Sequence, residues 1–149
     1  VEISGIAFDC CWLKDLDGKD FDEQYAAMKL VERMVLSGVG MLLDHEGHID
    51  REYYRNISAR SAGGRIVEKL KKSSNFNYVS GKPTAACFAA LQADAFDPSD
   101  VPYIGAAQNG KGVLVTSEEK HLVDGRVDLV ASRCNVMIIG SMNIATLLT

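Results

Sequence analysis

The chain has 149 residues, 47% of them apolar and 24% charged, which suits one globular domain with one sizeable core. That balance excludes disordered, collagen-like and fibrous chains, and no apolar run approaches the roughly 20 residues of a membrane span. The net charge of −4 excludes binding of nucleic acid by bulk charge alone.

The charge is unevenly distributed. Between Arg51 and Lys82 eight basic residues face two acids, Glu52 and Glu68, and the rest of the chain carries the compensating negative charge. A polyanion-binding face beside a metal-binding face fits this pattern, and so does a solvated helix with ordinary surface lysines. The four cysteines, Cys10, Cys11, Cys87 and Cys134, form no CxxC pair. They read as buried free thiols in a reducing compartment. The N-terminus shows no basic leader followed by a long apolar stretch, so the expectation is a soluble cytoplasmic protein.

In chain order, Ile3 to Phe8 is a short β-prone run ending at Asp9. Lys14 to Asp22 is polar, carries Gly18 and reads as a loop, with Trp12 outside the strand before it. From Phe21 to Leu36 the residues Phe21, Tyr25, Met28, Val31 and Val35 recur at helical spacing, with Asp20 or Asp22 as cap and Gly38 as terminator. Val39 to Leu43 is a second strand, ending at Asp44. Ile49, Tyr53 and Ile57 share one helical face. Gly63 and Gly64 break that pattern before a basic amphipathic helix over Arg65 to Lys72. Ser73 to Pro83 reads as a loop and Thr84 to Ala95 as a helix. A short helix follows from about Asp100 to Gln108, ended by Asn109 and Gly110. Gly112 to Thr116 is a third strand, Glu118 to Leu122 a single turn, Asp124 to Cys134 a short helix, Val136 to Ile139 a fourth strand, and Ser141 caps a final helix that runs to Leu148.

Continuous apolar strands alternating with helices predict a parallel sheet covered on both faces. The expected architecture is a single α/β domain over residues 1–149. It has three layers, α/β/α, around a mostly parallel sheet of four to five strands.

In such sheets ligands bind beyond the carboxyl ends of the strands. Asp9 and Asp44 end the first two strands, Thr116, Ser117 and Glu118 follow the third, and Glu52 and Asp100 sit early on helices. Carboxylates converging on one cleft repel one another unless a cation neutralises them. Hard oxygen ligands of this kind suit Mg²⁺ or Mn²⁺, which can polarise a phosphate and activate a water. Arg51 and Arg55 flank Glu52, and Arg60, Arg65, Lys69 and Lys72 extend a basic track for phosphates, with Tyr53, Tyr54 and Trp12 as candidate stacking residues for unpaired bases. Core packing is the favoured role for Tyr53. His45 and His48 read as exposed turn residues, and His121 receives no role.

The order IAFDCC, DREYYRNI, DPSDVPYIGAAQNGKGVLVTSEEKHL and VMIIGSMNIATLL resembles the PIN domain family of metal-dependent nucleases over nearly the whole chain. The resemblance implies a metal-dependent nuclease, acting on RNA, with Asp9 and Asp100 binding Mg²⁺ or Mn²⁺ directly. Glu52 would bind metal or orient the attacking water, and Glu118 would complete the pocket beside Thr116 and Ser117. It also admits a protein partner of the antitoxin kind and a homodimer. Where the family usually has a polar residue within two positions of the first aspartate, this chain has Cys10 and Cys11; where it usually has Asp in the Thr-x-acid turn, this chain has Glu118. The alternative these departures raise is a catalytically weakened relative that binds RNA or protein.

Overall fold

The computed structural model describes residues 2–149. Five strands form one all-parallel sheet: β1 (Gly5–Phe8), β2 (Gly40–Asp44), β3 (Phe76–Val79), β4 (Val113–Val115) and β5 (Met137–Ile139), in the order β3-β2-β1-β4-β5. In register, Ile6 lies opposite Met41 on one side and Val113 on the other, so β1 is central and buried throughout. Seven α-helices surround the sheet: α1 (Cys10–Asp15), α2 (Phe21–Ser37), α3 (His48–Asn56), α4 (Ala62–Lys72), α5 (Ala85–Ala93), α6 (Val101–Asn109) and α7 (Asp124–Cys134). The expected three-layer α/β/α architecture is what forms. α1 to α4 pack among themselves, α5 packs on α7, and α6 runs along β1, β2 and β4.

This order follows from handed connections. The chain leaves β1, steps outward to β2 and then β3, and returns across the sheet to place β4 on the other side of β1. Right-handed crossovers put helices on opposite faces before and after such a reversal. In open parallel sheets such a reversal marks a crevice beyond the carboxyl ends of the strands that flank it, here β1 and β4.

Local signals explain most elements. Asp20 caps α2 by accepting from the Glu23 N–H at 2.9 Å, and Gly38 ends it at φ +73°, where a side chain would be strained. Ser61 caps α4 through the Gly64 N–H at 3.0 Å. Gly63, expected to interrupt structure, lies inside the first turn of α4. A Cβ there would meet the Leu13 carbonyl oxygen at 2.2 Å, so the glycine lets α4 press against α1.

Several expectations are corrected. Lys14 to Asp22 is not all loop, because α1 starts directly after Asp9 and Trp12 lies within it. Trp12 is 1% exposed, stacks on Phe8 and donates its indole N–H to Ser141 Oγ at 3.0 Å, so it cannot stack on a base. The stretch Ser73 to Pro83 contains β3, an edge strand paired only with β2. Its half-exposed FNYV sequence, between Ser, Asn and Gly residues, lacks the apolar continuity of the inner strands. Helix α2 has the expected span but buries Ala27, Leu30, Val31 and Met34, while Phe21, Tyr25 and Met28 face solvent. Finally, Cys87 and Cys134 are joined in a disulfide, because α5 and α7 pack side by side with the two Cα atoms 4.8 Å apart. Only Cys10 and Cys11 are free thiols, and the pairing removes the reason to place the chain in a reducing compartment. Among the described residues no helix is long and apolar enough to cross a membrane.

Candidate metal centre

Aspartate before a helix normally turns its carboxylate onto the free N–H groups of the first turn. Asp44 does so: its two oxygens accept from His48 N at 3.0 Å and Ile49 N at 2.8 Å, which fixes the start of α3. Asp44 is therefore a buried structural cap, although it ends a strand as Asp9 does. Asp9 and Asp100 behave differently. Asp9 immediately precedes α1 without capping it with its side chain, and Asp100 ends a 3-10 turn (Pro98–Asp100) leading into α6 that is capped by Asp97 instead. Both carboxylates come within reach of one another beyond the ends of β1 and β4.

There they meet His121, the last residue of a short 3-10 turn (Glu119–His121) after β4. One ligand atom from each of Asp9, Asp100 and His121 lies within 4.8 Å of the others. Asp9 is 3% exposed and His121 is fully buried. The structure thus brings together two of the four expected acids and adds a histidine that carries no recognisable motif. Its only advance signal is position: it closes the turn that follows the third apolar strand.

Asp9 is the most perturbed member. Burial pushes its pKa above the ordinary 3.8, the Thr116 hydroxyl opposes that by donating to Oδ2 at 2.8 Å, and the neighbouring Asp100 charge raises it further. Thr116 is itself fully buried, and its Oγ1 accepts from the Glu118 N–H at 3.0 Å. One hydroxyl therefore ties the end of β4 to the end of β1. Cys11 lies 3.6 Å from Thr116 Oγ1, so a thiol lines this corner. Burial and the Asp9 charge push the Cys11 thiol up to about 11. Burial, then Glu52 and Asp9, push Cys10 to about 12, so both stay neutral.

The other two expected acids stand outside this grouping. Glu52, on α3, accepts from the Tyr103 hydroxyl at 2.7 Å and lies 3.2 Å from His48 Nε2. Its carboxylate is engaged by its own neighbours. Glu118 precedes the 3-10 turn, and its carboxylate makes no hydrogen bond or ion pair among the described residues. His45 is exposed in a turn as expected. His48 instead opens α3, half-buried, with Nε2 also 2.9 Å from the Ser99 carbonyl.

No family model, curated protein or solved structure matches the chain.

The basic residues occupy the outer surface of α3, α4 and their connection. Arg51, Arg55, Arg60, Arg65, Lys69 and Lys72 are all exposed. An open groove of about 1170 Å³ runs between α3 and α4, lined by Arg51, Tyr54, Arg55, Lys71 and Lys72 among others. Tyr54 is 90% exposed at its edge, whereas Tyr53 is buried and donates its hydroxyl to the Phe8 carbonyl, the core role expected of it. Lys72 pairs with Glu68 at 2.6 Å and Lys71 with Asp50 at 3.1 Å; Arg55, Arg60, Arg65 and Lys69 have no acidic partner among the described residues. Arg60, Arg65 and Lys69 lie outside the groove lining.

Proposed function

We propose that this chain is a divalent-metal-dependent nuclease of the PIN type that hydrolyses phosphodiester bonds in RNA. One observation carries the reading. Asp9 and Asp100, more than ninety residues apart, make no side-chain cap to the helices they precede and converge with His121 within 4.8 Å, where the strand order reverses in the sheet. Two converging carboxylates are unfavourable alone and become favourable around a cation.

The donor set fits such an ion. Asp9 and Asp100 supply carboxylate oxygens, which suit Mg²⁺ and Mn²⁺. When bound, the ion would polarise a phosphate and activate a water. The chain's own residues do the rest. Thr116 fixes Asp9. Glu52, oriented by Tyr103 and His48, offers a carboxylate on the helix whose outer face carries Arg51 and Arg55. Those arginines and Tyr54 provide charge and a stacking surface for a single strand. RNA as substrate, a protein partner of the antitoxin kind, a homodimer and a cytoplasmic location all belong to this proposal.

A second reading, a weakened relative that binds RNA or protein without turnover, is favoured by the placement of Glu52 and Glu118 outside the grouping. Incubation with a labelled single-stranded RNA in Mg²⁺ or Mn²⁺ separates the two. Cleavage that chelator and the Asp9→Asn, Asp100→Asn double variant both abolish is the expected result. Retained RNA binding without cleavage in either metal would favour the second reading.

A further inference from the structure

His121 stands among the candidate ligands, and its surroundings decide what it does there. Its ring is fully buried and stacked on Phe96, with centroids 4.5 Å apart and planes 14° from parallel. Nε2 lies 2.8 Å from Asp100 Oδ2, and Nδ1 lies 3.5 Å from a terminal nitrogen of Arg126. The guanidinium is held in place on its other sides. Its Nε donates to Asp94 Oδ2 at 2.7 Å, one terminal nitrogen donates to the Asp94 carbonyl at 2.9 Å, the other to the Lys120 carbonyl at 3.3 Å, and the group lies over the Phe96 ring.

A guanidinium is always charged and has only donors. The imidazole nitrogen facing it must present a lone pair. The ring proton then resides on Nε2, the nitrogen that faces Asp100, and a nitrogen carrying a proton cannot also bind a cation. We infer that His121 is a positioning residue for Asp100 and not a metal ligand, its Nε2–H tautomer selected by Arg126. The inference rests on the metal reading only in assigning Asp100 to an ion. Metal sites commonly use a carboxylate to orient a ligating imidazole. Here the order is reversed: an imidazole orients a ligating carboxylate. The helical run that leads into α6 is capped by Asp97, through the Ser99 N–H, which leaves the Asp100 carboxylate free for this role; its Oδ2 faces His121 and lies 3.9 Å from Lys120 Nζ.

The test is long-range ¹⁵N–¹H correlation spectroscopy on ¹⁵N-histidine-labelled protein, first in chelator and then with Mg²⁺. The expected result is a neutral His121 ring with its proton on Nε2 in chelator, retained when Mg²⁺ is added. A proton on Nδ1, alone or alongside one on Nε2, or loss of the Nε2 proton on adding Mg²⁺, overturns the inference. Mn²⁺ titration gives a second readout. His121→Gln keeps an N–H donor for Asp100 and is expected to lose no more than about tenfold in affinity, the low end of what altering an outer partner of a metal ligand costs. A loss as deep as that of Asp100→Asn would make His121 a ligand and overturn the inference. Should Mn²⁺ not bind the unaltered protein, the metal reading fails, while the tautomer in chelator still decides whether His121 is locked to Asp100.

Discussion

Thr116 donates its hydroxyl to Asp9 Oδ2 at 2.8 Å, a bond between residues 107 positions apart that joins the ends of the two strands flanking the chain reversal. Both partners are buried, and the Asp9 carboxylate takes no other hydroxyl or N–H donor among the described residues. Thr116→Val keeps the shape and removes the donor. Its expected effect is a weakening of Mn²⁺ binding by about tenfold, the scale on which outer partners of metal ligands act. Thr116→Ser should restore most of it. Equal affinity in the valine variant would show that the hydroxyl does not orient Asp9.

The buried Asp9 carboxylate should destabilise the fold when no cation is present. Its folded-state pKa lies above 3.8, chiefly through burial, so the native state holds the proton more tightly than the unfolded chain does. Its contribution to stability is fully present below pH 3.8 and is lost as pH rises through the folded value. In chelator at pH 7, Asp9→Asn is therefore expected to raise Tm, and the difference should vanish below pH 3.8. Thermal melts at both pH values check this. A variant that melts lower at pH 7 would contradict the sign.

Thiol counting tests the cysteine pairing. Non-reduced protein unfolded in denaturant should expose two reactive thiols, and four after reduction. In the folded state at pH 8, Cys10 and Cys11 should react slowly, since their thiols are held near 12 and 11. Replacing Cys87 and Cys134 by alanine should cost about 2–4 kcal/mol in denaturant unfolding, the usual worth of closing a loop of this length. Four thiols before reduction would refute the pairing.

The groove between α3 and α4 makes a prediction about salt. If Arg51 and Arg55 bind phosphates, replacing both with alanine should lower the slope of log affinity for single-stranded RNA against log salt by about 0.7 for each phosphate no longer neutralised. Tyr54→Ala should cost about 1–3 kcal/mol where a base stacks on it. An unchanged slope in the double variant would move RNA binding elsewhere on the surface.

The sequence was informative where a physical signal is local. Buried strands such as IAF and VLV declare themselves by apolar continuity, and Asp20 and Gly38 mark boundaries that the chain respects, whereas Ser141 caps nothing: it begins a 3-10 stretch (Ser141–Thr146) after Gly140, and the expected final helix to Leu148 does not form. β3 was not legible because an edge strand can be half polar. The face that α2 buries was not legible because periodicity fixes spacing and leaves open which apolar stripe meets the core. Asp9 and Asp100 could be picked out as acids at element boundaries. Asp44 occupies an equivalent boundary, and only geometry shows that it caps α3. His121 and Arg126 have meaning only through their neighbours Phe96, Asp94 and Asp100, none of which leaves a mark in local sequence.

Whether Asp9 and Asp100 together hold a cation is decided by isothermal titration of Mn²⁺ into the unaltered protein and into the Asp9→Asn, Asp100→Asn double variant, both shown to be folded. One site on the unaltered protein and none on the variant is the predicted result. Undiminished binding to the variant, or no binding to the unaltered protein in the presence of a single-stranded RNA, would contradict it.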